Sequence, residues 1–217
     1  MPKKFASPKT TQPEPSEIAL PEPATGWKGA ASATDVSGAA SATGDSGAAS
    51  ATGDSGAASA TGEMGAAITT GVMGAASATG WSGAASATGV SGAASATGKM
   101  GAASATGEMG AAITTGVMGA AITTGMMGAA SATGVMGAAS ATGVRGAASA
   151  TGKHSIALAA GFECMALAGE SGAICIACRA LDGSILAIQA SKVGENGVKP
   201  DTWYRLDASG KFVEMEC

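Results

Sequence analysis

Aromatic residues are nearly absent from this chain of 217 residues, since three Trp, one Tyr and three Phe make up only 3% of it. Charged residues account for 13%. Because large side chains fill most of an ordinary protein core, a conventional globular enzyme spanning the whole chain is not expected. The net charge of −4 argues against nucleic acid as a partner, which requires a basic surface.

Cysteine is missing from the first 163 residues, and the four that follow are too few for a disulfide scaffold. No apolar segment follows the basic N-terminus, so no signal peptide and a cytoplasmic location are expected. A phage particle or the cell surface, reached by another route, stays open as a location. The segment from Met109 to Val144 is uncharged, but Gly, Ser and Thr fill about half of it, and no membrane span is predicted.

Alanine and glycine are abundant instead, with 53 Ala and 35 Gly filling about two-fifths of the chain. Composition divides the chain into three parts. Residues 1–25 hold six of the seven Pro and are predicted to form a disordered arm. Residues 26–169 form a repeat region, and residues 170–217 regain varied side chains, which predicts a β-rich capping and assembly module.

The repeat begins with Gly29-Ala-Ala-Ser-Ala-Thr34 and recurs fourteen times at intervals of nine residues. Eleven copies have the sequence GAASAT and three have GAAITT, and each is followed by Gly (Asp35 in the first) and two variable residues. The Gly spacing excludes collagen, and two Gly in nine disfavour a helix. A short strand and a tight turn fit the unit. The sequence therefore predicts an all-β fold, a β-solenoid with two nonapeptides per coil, about eight coils and a length of roughly 40 Å.

The GAAITT copies carry information about which strand face is buried. Numbering each unit from its Gly, position 4 changes from Ser to Ile and position 5 from Ala to Thr. Because Ile favours a dry face, we predict that positions 2, 4 and 6 point inward and that positions 3 and 5 point outward. Ile156, Leu158, Met165 and Leu167 at positions 2 and 4 agree with this. The opposite register remains an alternative.

Three strands are predicted in the C-terminal module, at residues 184–193, 202–206 and 211–216, separated by the turns Gly194–Gly197 and Asp207–Gly210. Open solenoid ends expose unpaired strand edges, so a cap is physically required. We interpret this module as a small β-meander cap.

The segment Ser155-Ile-Ala-Leu-Ala-Ala-Gly161 resembles the S-V-A-I-x-x-G strand of YadA-type adhesin heads, and the A-x-A-T-G units resemble the spacing in those β-rolls. This resemblance implies a left-handed β-roll, often trimeric, used in surface adhesion. The chain also resembles uncharacterised Ala-Gly-rich nonapeptide-repeat proteins of bacteria and prophages, which often end in a segment like Lys199-Pro-Asp-Thr-Trp-Tyr-Arg205. That second resemblance implies no activity.

Catalytic, cofactor and metal sites are not predicted. Calcium-binding nonapeptides place Asp at position 6, where this chain has Thr. Cys175 and Cys178 form a CxxC without a second pair, and we interpret the thiols as small buried hydrophobes, leaving open whether the four cysteines (Cys164, Cys175, Cys178 and Cys217) are free. His154 is the only His, and its neighbour Ser155 is unsuited to form a nucleophile–base pair with it. No enzyme is expected.

Methionine recurs at position 9, in the turns, where it either seals the corners of a thin core or forms an exposed strip for a partner. The predicted interaction surface contains Met100, Met109, Met118, Met127, Met136, Trp203, Tyr204 and Phe212. We expect a structural or protein-interaction protein that forms a homodimer or trimer and binds a protein partner, with a prophage-encoded binder or scaffold as one form of it. The alternatives are an ice-binding protein, which needs Ser and Thr at positions 4 and 6 to point outward, and a surface adhesin head.

Overall fold

The computed structural model describes residues 24–216, and in this part every regular element is a β-strand. The strands form two sheets stacked on each other as a β-solenoid of about eight turns, which confirms the predicted fold class. Most of the predicted arm, residues 1–23, lies outside the described residues, as does Cys217.

Strands of the repeat alternate between the two sheets. The 11-stranded first sheet contains, in spatial order, β1 (Ala24–Thr25), β3 (Ala39–Thr43), β5 (Ser55–Thr61), β7 (Met73–Thr79), β9 (Ser91–Thr97), β11 (Ala111–Thr115), β13 (Ala129–Thr133), β15 (Ala147–Ala150), β17 (Met165–Ala168), β20 (Trp203–Leu206) and β21 (Phe212–Met215). The 10-stranded second sheet contains β2 (Ala30–Ala33), β4 (Ala48–Thr52), β6 (Met64–Thr70), β8 (Ser82–Thr88), β10 (Met100–Thr106), β12 (Met118–Thr124), β14 (Ala138–Thr142), β16 (Ile156–Ala159), β18 (Ala173–Arg179) and β19 (Ile185–Lys192).

Each repeat strand pairs in parallel with the strand one coil away. Ala102 of β10 pairs with Ala120 of β12, an offset of eighteen residues, so two nonapeptides complete one coil. Near the C-terminus the offset shortens by one residue, because Ile156 pairs with Ala173. The nine-residue period thus sets the register between coils as far as β17.

The inward-facing side chains are those at positions 1, 3 and 5, so the predicted register was wrong and its alternative is correct. Ala103 and Ala105 of β10 are buried, whereas Ala102 and Thr106 are exposed. Ile68, Ile113 and Ile122 at position 4 are 46–51% exposed.

Close spacing of the sheets is the physical reason for this register. From β3 onward, the alanines at positions 3 and 5 of the repeats are almost completely buried, with exposed fractions of 0–3%, although their side chains are only one carbon long, which indicates little space between the sheets. Within the fourteen repeats, Gly, Ala and three Thr occupy this space, so Ser and Ile at position 4 and Thr at position 6 lie on the outer face. The last units follow the same rule: Ile156 at position 2 is exposed, while Ala157 at position 3 is fully buried.

Three buried threonines interrupt the alanine interior. Thr69, Thr114 and Thr123 occupy position 5 of the GAAITT units, and among the described residues their hydroxyl oxygens have no hydrogen-bond partner. A buried hydroxyl without a partner costs about 1–3 kcal/mol. Each of these side chains lies above the Gly that begins the next unit; an added Cβ at Gly119 would come within 2.6 Å of Thr114 Oγ1. The Thr side chain therefore fills the space that is left because the glycine has no Cβ.

The cap contains the three predicted strands, with bounds shifted by at most one residue, but it is divided between the sheets and is not a single meander. β19 pairs antiparallel with β18 at the end of the second sheet. β20 pairs antiparallel with β17, and β21 with β20, at the end of the first sheet. Larger side chains, including Ile174 and Ile176, replace alanine in the interior here. Each sheet therefore ends in its own antiparallel hairpin.

Candidate interaction surfaces

The turns of the solenoid form two lines of corners, and each line carries large apolar side chains from positions 8 and 9. The first ridge contains Met64, Trp81, Met100, Val117, Met118, Val135 and Met136. The second ridge contains Val72, Met73, Val90, Met109, Met126 and Met127. Every one of these side chains is between 41% and 61% exposed. They lie outside the buried core and form two apolar strips along the corners that are about half exposed.

The strand register divides the methionines between the two lines of corners. Met100 pairs with Met118 in the second sheet, at the start of β10 and β12. Met109 precedes β11 of the first sheet and so belongs to the other line of corners. On the first ridge, the Lys99 ammonium lies 4.3 Å from the centre of the Trp81 ring, one coil away. A cation above an aromatic face in this way orders both side chains.

The aromatic residues of the predicted surface lie in the cap, and Tyr204 was wrongly placed on the surface. Tyr204 is only 3% exposed. Its hydroxyl accepts the Lys199 N–H at 3.0 Å and donates to the Gly197 carbonyl at 3.3 Å. Its ring packs edge-on against Phe212, with centroids 6.2 Å apart. Phe212 and Trp203 are half-buried, so these rings stabilise the cap more than they present a surface.

The two outer faces carry rows of small polar side chains. In the first sheet, Ser41 pairs with Ser59 and Thr43 with Thr61, and the same rows continue through β7 and β9. Neighbouring members of a row are about 4.8 Å apart, and the Ser and Thr rows are roughly 7 Å apart. A shallow apolar groove lies between the rows of positions 2 and 4, and on the second sheet Ile68 and Ile122 lie at its two ends.

The residues considered for chemistry do not come together. His154 is exposed and adopts a left-handed backbone conformation with φ of 57°. Ser155 Oγ lies 2.7 Å from the carbonyl oxygens of both Ala150 and Gly152, which share its single proton, so it is committed to the backbone. The Cys164 thiol is buried and donates to the Gly143 carbonyl at 3.0 Å.

Cys175 and Cys178 are half-buried and form no disulfide, and within residues 24–216 no cluster of three or more His, Cys, Asp or Glu could hold a metal ion. The described part also contains no helix long and apolar enough to cross a membrane. Comparisons with protein-family models, with curated proteins and with solved structures found no match to this chain.

Proposed function

We propose that this protein is a non-enzymatic structural or protein-interaction protein, in which the solenoid is a rigid rod that presents its two ridges to a protein partner. The observation that carries the proposal is the exposure of the ridge methionines and valines. An interior of Gly and Ala has no room for these side chains, so the fold does not require them to be apolar. Ser82 and Ser91 at the same position show that a polar residue also satisfies the turn.

Methionine suits such a surface because its unbranched, polarizable side chain adapts to different partners. Contiguous apolar strips on a soluble protein typically mark sites of protein contact. The regular spacing of the rungs, about 4.8 Å, also gives each ridge a straight course along the rod. A prophage-encoded binder or scaffold is the form of this function that the resemblance to prophage repeat proteins favours.

A photo-crosslinking amino acid at Met118 is expected to join the protein to a discrete partner in its native host. The same amino acid at Ser104, on the face of the second sheet, is the matched control and is expected to give several-fold less product. Replacing Met100→Lys, one coil away on the first ridge, should remove the Met118 product because it places a charge in the apolar strip. Equal products at both positions, or a product insensitive to Met100→Lys, would contradict a role for the ridge.

We also propose that the rod self-associates as a dimer or trimer. The interior of each coil buries little apolar area because its side chains are Gly and Ala, while every ordered residue costs roughly 1–2 kcal/mol of backbone entropy. Further burial between copies would add to the stability that hydrogen bonding between coils supplies. Surface adhesion, which the adhesin-head resemblance implies, stays a prediction of that resemblance.

Ice binding is the second candidate function. It is favoured by the observed register, in which Ser at position 4 and Thr at position 6 point outward. The first sheet presents uninterrupted Ser and Thr rows from β3 to β9, in direct strand register. A flat array of hydroxyls and methyl groups at regular spacing is suited to order water at its surface. Ile113 interrupts the Ser row of the first sheet after this stretch, and Ile68 and Ile122 interrupt that of the second sheet.

For the ice-binding candidate we expect thermal hysteresis and altered ice-crystal shape at millimolar protein. Thr79→Lys, in the middle of the Thr row, should lower the hysteresis because a long charged side chain breaks the flat array. Met73→Lys, in the same strand but on the second ridge, should leave it unchanged. Absence of both hysteresis and crystal shaping in the unmodified protein would eliminate this candidate.

A further inference from the structure

The outer edge of β19 is an unpaired sheet edge with unusual properties. Among the described residues, β19 is the last strand of the second sheet and pairs only with β18. It is eight residues long, and the stretch 183–191 contains no charged residue and no Pro. Exposed strands usually avoid pairing with other chains by being short, or by carrying charges, Pro or bulges. Apart from an irregularity in the pairing near Arg179, β19 has none of these features along most of its length.

The other terminal strand of the cap provides a contrast. β21 has only four residues, follows Lys211 and contains Glu214, whose carboxylate lies 2.8 Å from the Lys199 ammonium. A short, charged edge of this kind resists pairing with another chain. The two edges therefore differ in the features that decide whether a second strand can add.

Large aliphatic side chains accompany the free edge of β19. Leu181 is 92% exposed, and Ile185, Leu186 and Ile188 are 51–60% exposed. All four belong to the β18–β19 hairpin and lie within one stretch of eight residues, 181–188. They contribute little to the interior, because Ile174 and Ile176 of the neighbouring strand β18 fill it. A free backbone edge and an apolar patch thus coincide at one end of the rod.

We propose that the edge of β19 pairs antiparallel with β19 of a second copy of this chain, joining two rods end to end through their caps. This inference rests on the self-association proposed above and specifies its surface. A twofold axis suits it, because in an antiparallel pair of identical strands each contact occurs twice: where one residue of the first copy faces another residue of the second, the reverse contact is made as well. The second sheets of the two copies would then form one continuous sheet of twenty strands.

Backbone orientation allows this pairing. The Val193 N–H donates to the Gly172 carbonyl at 2.9 Å, so the backbone groups of Val193 point toward the preceding strand. Because orientation alternates along a strand, those of Lys192, Ala190 and Ile188 point away from β18, toward the free edge. Antiparallel pairing would satisfy these donors and acceptors.

Charge complementarity argues for a second copy as the occupant of this edge. Asp182 lies just before β19 and Lys192 ends it, so antiparallel strands bring the Asp182 end of one copy to the Lys192 end of the other. The pKa of Asp182 is held below its ordinary value because the Ser184 hydroxyl and backbone N–H donate to its carboxylate, which keeps it charged at neutral pH. Among residues 24–216, the one ion pair of Lys192 is a long contact of 3.9 Å with Glu195.

The test is light scattering coupled to size exclusion, with small-angle X-ray scattering on the full chain. We expect a mass of twice the 20.3 kDa chain and a maximum dimension nearly twice that of one rod, since the ten and eleven strands stacked in each copy span roughly 45–50 Å. Packing through the sheet faces would double the mass without doubling the length. Ile188→Lys should give a monomer with unchanged circular dichroism, while Val213→Lys, on the exposed side of β21, is the matched control and should remain a dimer.

Each outcome separates this inference from the proposals it rests on. A monomeric unmodified protein at 100 µM, on the order of a hundred times the ~1 µM dissociation constant of a modest complex, would overturn self-association altogether. A dimer that Ile188→Lys leaves intact, or a trimer, would overturn pairing through β19 while self-association stood. Neither result affects the crosslinking test of the ridges, because Met118 lies on the repeat region and not on the cap.

Discussion

Replacing Gly116 by alanine is expected to unfold the central coils of the rod. Gly116 occupies position 7, and an added Cβ would overlap the carbonyl oxygen of Gly98, eighteen residues earlier. The backbone of one coil there lies directly on the backbone of the next, so no flexible side chain can move aside. We expect a loss of more than about 4 kcal/mol in the free energy of unfolding, measured by urea denaturation followed by circular dichroism.

Gly110 is the matched control in the same coil. It also borders a turn, but an added Cβ there would have more space. An added Cβ at Gly110 would lie 3.2 Å from the Ala105 carbonyl oxygen, a tight contact that a small shift relieves. Gly110→Ala is therefore expected to change stability by only about 1 kcal/mol, partly offset by the lower entropy of the unfolded chain. Similar losses for the two variants would show that the coils do not stack as described.

Ala105→Leu is expected to be nearly as damaging, because Ala105 is fully buried between the two sheets. Leucine adds three heavy atoms to an interior that accepts only Gly, Ala and an occasional Thr. Overpacking typically costs 1–3 kcal/mol, and we expect a loss of about 3 kcal/mol or more because rigid strands on both sides cannot repack. Denaturation should be combined with hydrogen exchange in β8, β10 and β12, where protection should fall first.

The control for this variant is Ala102→Leu in the same strand. Ala102 is exposed at position 2, so the same substitution there should change stability by no more than about 0.5 kcal/mol. The two variants together test the register directly. If Ala102→Leu were the damaging one, the inward-facing positions would be 2, 4 and 6.

The nine-residue period was sufficient to predict the solenoid, because one unit holds one short strand and one turn, and two units close a coil. The direction of the side chains was not predicted, because the argument from Ile assumed an interior with room for Ile. A better signal was present in the last units: Ala157 and Ala166 keep position 3 small while Ile156 and Met165 vary at position 2. The close spacing of the sheets decides between the two possible registers, and this spacing cannot be derived from the sequence.

The candidate surfaces were predicted in part. Recurrence of Met at position 9 identified the ridges, but exposure depends on how far the turns project from the interior. Tyr204 was misplaced because its burial depends on the Lys199 and Gly197 backbone groups, which are distant from any repeat signal. The free edge of β19 was missed, although the uncharged run from Ile185 to Ser191 beside Leu181 was a usable signal. Which strand ends a sheet depends on pairing across the whole cap.

The eighteen-residue offset between paired strands constrains how the length of this protein can change over generations. Copying errors in a repetitive gene add or remove whole units. Loss of eighteen residues shortens the rod by one coil and leaves every later strand in the same sheet, because Ala102 and Ala120 occupy equivalent places. Loss of nine residues instead moves every later strand to the opposite sheet, so the ridges exchange sides and the cap turns over relative to the first coils. Related chains of different length should therefore differ by multiples of eighteen wherever the orientation of the cap matters.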